Sequence, residues 1–142
     1  RNHSSAASDV YKRQEKDELF QQSDFISVHL VLSDRSRGIV GRRELELMKP
    51  SAFIVNTSRG PIIDEDALAD ALAAGTIAGA GIDTFSQEPV AKTNRFLDLP
   101  NTVLTPHLGY VTAETYEMFY GDTVECVAAW LKGEPVRVLN PQ

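Results

Sequence analysis

Ala52-Phe53-Ile54-Val55-Asn56-Thr57-Ser58-Arg59-Gly60-Pro61 passes from a short aliphatic run into a polar loop that closes on Gly-Pro. The run from Ala52 to Val55 is too short for an ordinary helix and rich in aliphatic and β-branched side chains, so it reads as a buried strand, with the polar residues leaving its carboxyl end. The same texture recurs on either side, at Phe25 to Leu30, Ile77 to Ile82 and Thr102 to Leu104, each bounded by turn residues. Amphipathic segments lie between these runs. Arg42 to Met48 forms a short helix stopped by Pro50. Asp64 to Ala74 forms a better-marked one, with Asp64, Glu65 and Asp66 in its first turn and Gly75 at its end. Acidic residues suit the positive end of a helix dipole, and glycine suits the left-handed position that ends a helix. A last helix runs from Thr112, an N-cap, to Lys132 before Gly133, with Tyr116, Phe119, Tyr120, Val124, Val127 and Leu131 on one face. That aromatic face reads as packing that needs a cover. Strands alternating with helices predict an α/β fold built on a parallel sheet of buried central strands with crossover helices.

A chain of 142 residues with 42% hydrophobic content has the length of one domain and enough apolar material for a core. Its 14 basic and 20 acidic residues leave a formal charge of -6, which opposes unspecific attraction to nucleic acid or anionic membrane. A small molecule is the expected partner. Cys126 is the single cysteine, so neither an intrachain disulfide nor a cysteine metal cluster is expected, and no metal site is assigned. No apolar run approaches membrane-spanning length, and a cytoplasmic location is expected. Residues 1–14 lack helical or strand periodicity and read as a non-native or disordered leader.

Polar residues placed directly after buried strands carry the functional signal, because open α/β sheets bind ligands beyond the carboxyl ends of their strands. Arg59 follows the second strand, Asp83 closes the third with Glu88 just beyond, and His107 follows the fourth in Thr105-Pro106-His107-Leu108-Gly109. Parallel strands bring all four to one edge. Arginine offers a planar, permanently charged fork for a carboxylate and polarises a neighbouring carbonyl oxygen. Histidine exchanges a proton near neutral pH. A carboxylate beside the imidazole fixes its tautomer and favours its protonated form, a role that falls to Glu88. Each residue also has a bland reading: Arg59 as a surface residue, His107 as a structural histidine, Glu88 as a solvated loop residue, Asp83 as a turn cap. His29 is read as structural through its imidazole, mattering through its backbone near the cofactor.

Three segments taken together resemble the D-isomer-specific 2-hydroxyacid dehydrogenase family: Asn56-Thr57-Ser58-Arg59-Gly60, Gly81-Ile82-Asp83-Thr84-Phe85 through Glu88-Pro89, and Pro106-His107-Leu108-Gly109. The likeness runs from about Glu15 to the end. It implies a Rossmann-like fold and an NAD-dependent oxidoreductase interconverting a D-2-hydroxy acid and a 2-oxo acid, with NADP not excluded. Arg59, Glu88 and His107 would then be catalytic. Asp83 would bind the nicotinamide carboxamide, while Leu30, Thr57, Ser58, Arg59, His107 and Gly109 would contact the nicotinamide end of the cofactor. The resemblance also implies a homodimeric parent, and Glu88 stands where formate dehydrogenase relatives typically carry Gln.

The sequence departs from the family pattern at Val31, where Pro is usual, and at Tyr110 and Val111, which replace a small residue after Gly109. The family's G-x-G-x-x-G loop, its ribose-reading acid and most of its substrate domain are expected to precede Glu15. Gly79-Ala80-Gly81 is no substitute, because it enters a strand instead of joining a strand to a helix. The expected division is a leader over 1–14, the carboxy-terminal half of the NAD(P)-binding domain over 15–111, and a helix with its tail over 112–142 returning to the substrate domain. Such a partial sheet is expected to be inactive alone. A dinucleotide-sensing corepressor-like protein, which shares the same three residues, is the alternative to an enzyme.

Overall fold

A computed structural model describes residues 15–140, so the leader expected over 1–14 lies outside the described residues. The chain divides into two units, Arg1–His107 and Leu108–Gln142. The first holds four parallel strands, β1 (Phe25–Val28), β2 (Phe53–Asn56), β3 (Gly79–Ile82) and β4 (Thr102–Leu104), in the order β1-β2-β3-β4. Its helices are α1 (Lys16–Gln22), α2 (Arg42–Leu47) and α3 (Glu65–Ala73), with 3-10 turns at Gly60–Ile62 and Arg95–Asp98.

The expected strands and helices are present with shorter ends. β1 stops at Val28 instead of Leu30 because its last partner is Asn56, beyond which the neighbouring chain turns away. Ala52 precedes β2 and is held by Lys49 O and Ala78 N. In α3, Asp64 caps Ala67 N at 3.1 Å. At its other end Gly75, at φ +68°, lets its own N–H reach Leu72 O and the Thr76 N–H reach Ala71 O. That paired closure satisfies carbonyls that the helix leaves open.

Leu45, Ile54, Ile62, Leu68 and Ile77 form the most buried part of one apolar cluster, which also takes in Phe20, Ile26, Val28, Ile82 and Phe96. The strands are not buried on both faces as expected. Burial alternates along β1 and β2, and Phe25 and Val103 are 74% and 70% exposed. The helices of this unit share the cluster with Ile26, Val28, Ile54 and Ile82, so only that face gains apolar cover. On the other face Phe25 and Phe53 stack on each other with centroids 5.5 Å apart.

Helix α1 escapes the sequence reading because Phe20 is its one buried residue, too sparse a signal for periodicity. It is fixed by charge instead. Lys16 Nζ donates to Glu44 Oε1 at 2.8 Å and to Ile39 O at 2.6 Å, and Arg43 pairs with Asp17. Glu44 is itself buried at the start of α2, where its other oxygen accepts from Gly41 N at 2.9 Å. Burial alone raises its pKa, but the bonds from Lys16, Gly41 and its own amide outweigh that and hold it at about 2. A depressed folded-state pKa stabilises the fold fully above the unfolded value near about 4.3, and that stability is lost as pH falls through about 2. Glu44→Ala is therefore expected to cost about 2 kcal/mol at neutral pH, by removing the carboxylate that holds Gly41 N at the start of α2 and its ion pair with Lys16. Urea denaturation at pH 7 and pH 3 checks this, and the difference between wild type and variant should narrow at the lower pH.

The second unit contains α4 (Ala113–Leu131). Thr112 caps it through Thr115 N at 3.2 Å, and Gly133, at φ +78°, follows its end. Its expected apolar face is present but exposed, from Tyr116 at 51% to Leu131 at 72%. Arg137 folds back onto the same helix through Asp122 and Glu125. No helix among the described residues is long and apolar enough to cross a membrane.

Candidate active site

The strand register sets the site. Val28, Asn56, Ile82 and Leu104 are aligned across the four strands, so the residues that follow them leave the sheet along one edge. Asp83 is the first residue beyond β3, Arg59 the third beyond β2 and His107 the third beyond β4.

Asn56 shapes the loop that carries Arg59. This buried amide accepts from Ser58 N at 3.1 Å and donates to Arg59 O at 3.0 Å. Ser58 Oγ donates to Val28 O at 2.7 Å and ties the loop to β1. Arg59 is exposed, with Nη1 on Ser58 O at 2.6 Å. An asparagine that ends a strand is the signal for such an Asx turn, and it gives Asn56 a role in shaping the loop that its motif alone does not reveal.

His107 sits in the left-handed region at φ 57°, uncommon for a residue with a Cβ. Its N–H compensates by donating to Asp83 O at 2.8 Å and to Thr105 O at 3.1 Å. The backbone of one strand end thus holds the histidine of the next. The His107 side chain places Nδ1 2.8 Å from Glu88 Oε2, and Glu88 Oε1 accepts from Phe85 N at 2.9 Å. Both side chains are about one third exposed, at 32% and 37%. Hydrogen bonds from His107 first and Phe85 N second, together with the charges of His107 and Arg59, hold the Glu88 carboxyl below its usual pKa against a smaller opposing effect of burial.

Asp83 is buried, at 5% exposure, and accepts a hydrogen bond from Thr105 Oγ1. Thr105 was legible only as part of a motif, because the contact spans two strands. Thr57 is exposed in the same loop as Ser58 and Arg59. Leu30 leaves the carboxyl end of β1 with His29 and lines an open cavity of about 610 Å³ with Phe20, Ile26, Val28 and Val40. Ser27 Oγ lies 2.8 Å from His29 Nε2. Gly109 is an exposed residue of the second unit. Among the described residues, no group of three or more His, Cys, Asp or Glu could hold a metal ion.

Gly60 joins the two loops. A Cβ there would stand 2.1 Å from Phe85 C and 2.3 Å from Ser86 N, so the Arg59 loop and the Glu88 loop touch backbone to backbone. Gly60→Ala is expected to cost about 1–3 kcal/mol as overpacking and to separate Arg59 from Glu88. A thermal melt of the variant beside wild type tests it, and a variant as stable as wild type would show that the contact is slack.

Residues 1–109 match the D-isomer specific 2-hydroxyacid dehydrogenase, NAD binding domain family. The chain belongs to that family. Among its relatives, glyoxylate/hydroxypyruvate reductase B of Pectobacterium carotovorum subsp. carotovorum is 43% identical over 127 residues, which cover 89% of this chain and 40% of that protein. In structure it resembles a putative D-3-phosphoglycerate dehydrogenase oxidoreductase from Ralstonia solanacearum, with TM-score 0.81, 41% identity and coverage of 90% of this chain and 37% of that one. It also resembles D-lactate dehydrogenase from Aquifex aeolicus complexed with NAD and lactic acid, with TM-score 0.73, 30% identity and coverage of 91% and 45%. The chain thus spans about 40% of the length of the curated relatives it matches. The α/β sheet of this 2-hydroxyacid dehydrogenase domain is the Rossmann-type fold that its structural neighbours share.

Proposed function

We propose that this segment is the catalytic half of an NAD-dependent dehydrogenase that interconverts a 2-hydroxy acid and a 2-oxo acid, with NADP not excluded. The observation that carries the reading is the 2.8 Å contact between Glu88 and His107 Nδ1, on the edge that also carries Arg59 and Asp83. The donor set fits a nicotinamide: the buried Asp83 carboxylate, steadied by Thr105, is an acceptor suited to a carboxamide NH2, and Leu30, Thr57, Ser58 and His107 would supply the remaining contacts. When bound, the cofactor supplies or accepts the hydride.

The protein's own part concerns binding and the proton. Arg59 would hold the substrate carboxylate with two parallel hydrogen bonds and polarise the adjoining carbonyl oxygen. With Nδ1 held by Glu88, proton exchange with the substrate oxygen falls to His107 Nε2. Glu88 would stabilise the imidazolium present before reduction or formed during oxidation. The relatives make small 2-oxo acids such as glyoxylate and hydroxypyruvate the leading substrates. The reading includes the expected organisation: 15–111 as the carboxy-terminal half of the cofactor domain, and 112–142 as a helix and tail returning to the substrate domain, where the exposed aromatic face of α4 would find its cover. It also includes a cytoplasmic homodimer, as the family resemblance implies.

The test is oxidation of NADH, followed by absorbance, with glyoxylate, hydroxypyruvate and pyruvate offered in turn to the full-length protein. Turnover of at least one of them is expected. Tight NADH binding with turnover of none would overturn the reading in favour of a sensor.

A further inference from the structure

Glu65 takes no part in the chemistry described above, yet it touches the loop on which that chemistry depends. It occupies the first turn of α3, one residue after the Asp64 cap, and its Oε1 accepts from Ser86 N at 2.6 Å. The preceding amide, Phe85 N, donates to Glu88 Oε1 at 2.9 Å. Two adjacent backbone N–H groups are therefore held by two carboxylates, one belonging to the catalytic pair and the other outside it. Phe85 is anchored further by its buried ring, 6.4 Å from that of Phe96, and its carbonyl group abuts Gly60.

We infer that Glu65 is a positioning residue for the Glu88–His107 pair, clamping the loop over 85–88 to the same connection that carries Arg59. Arg59 and Gly60 lie in the short connection between β2 and α3, and Glu65 is the residue that opens α3 at its end. Gly60 sets how closely the Glu88 loop approaches, and Glu65 sets its direction by fixing Ser86 N. Substrate anchor and proton-transfer pair are thereby registered to one another by one piece of backbone. The inference rests on the function proposed above. Catalytic geometry is steep in position, so a loop released by a fraction of an ångström is expected to lower kcat by about tenfold, when a 1 Å misplacement costs about 10².

The ionisable groups acting on Glu88 are His107 and Arg59, while Arg95, which lines one open cavity with Glu65, is paired with Asp66 and Asp70. Three variants separate reach from charge in the full-length protein. Glu65→Gln keeps an acceptor oxygen at the same reach and loses the charge; Glu65→Asp keeps the charge and falls short; Glu65→Ala loses both, at a first-turn position where alanine is a good helix former. The expected result is that Asp and Ala each lower kcat about tenfold with KM little changed, while Gln restores most of the rate. The acid limb of the kcat profile, set by protonation of Glu88, should move upward in Asp and Ala relative to Gln. Equal rates in all three variants, or a loss that follows charge instead of reach, overturns the clamp. If wild type reduces no 2-oxo acid, the functional reading fails by itself, and the clamp is judged by carbon-13 NMR titration of the Glu88 carboxyl: a higher midpoint in Ala than in Gln supports it, and coincident midpoints overturn it.

Discussion

His107→Asn is expected to lower kcat for 2-oxo acid reduction by about 10² to 10⁴, the range typical for losing a positioned general acid. Asparagine is the informative replacement because of the backbone. At φ 57° most side chains carry a penalty, and asparagine is among the few that tolerate this region. The N–H bonds to Asp83 O and Thr105 O should survive, leaving the sheet edge intact while the titrating ring is gone. His107→Ala removes the ring as well but adds backbone strain, so a larger fall in alanine than in asparagine measures that strain. NADH affinity, read by fluorescence, should fall far less than kcat, since His107 is one of several proposed cofactor contacts but the proposed carrier of the proton. A His107→Asn enzyme within about a factor of three of wild type, well short of the 10² expected for a general acid, would remove His107 from the proton's path.

How much of this was legible beforehand can be judged residue by residue. The place of Arg59, Asp83 and His107 on one edge is legible because each follows a short aliphatic run, and parallel strands deliver such positions to a common edge whatever the details of packing. The register of Val28, Asn56, Ile82 and Leu104 is the physical form of that argument. Other features depend on distances that only the folded chain fixes. Thr105 reads as an ordinary residue before proline until it is seen to donate to Asp83 across two strands. Gly60 reads as a turn glycine until Phe85 is found where its Cβ would stand. Helix α1 carries too little apolar periodicity to be seen, since Lys16, Asp17 and the α2 residues Arg43 and Glu44 fix it by charge. The strands looked buried on both faces because aliphatic content alone does not say which face has a helix to cover it, and Phe25 and Val103 show that one face gains far less cover.

Arg59→Ala is expected to reduce kcat/KM for a 2-oxo acid by roughly 10² to 10⁴, from the loss of two charge-assisted hydrogen bonds worth about 1.5–3 kcal/mol each. Arg59→Lys should recover only part of this, because an ammonium restores the charge without the planar fork. A carbonyl substrate lacking the carboxylate supplies the control: wild type should reduce it poorly, and Arg59→Ala should reduce it about as poorly. If the arginine instead served only as a surface charge, both substrates would be affected equally and weakly, and ionic strength would erase the difference. A second consequence follows from its neighbour. The Arg59 charge is among the causes that hold the Glu88 carboxyl below its usual pKa, behind His107 and Phe85 N. A carboxyl with a depressed pKa stays ionised down to lower pH, so removing Arg59 should let Glu88 take up its proton sooner as the solution is acidified. The acid limb of the residual kcat in Arg59→Ala should therefore lie at higher pH than in wild type. An unmoved limb would mean that Arg59 and Glu88 do not act on one another across the edge, and that the substrate-binding and proton-transfer halves of the site are set independently.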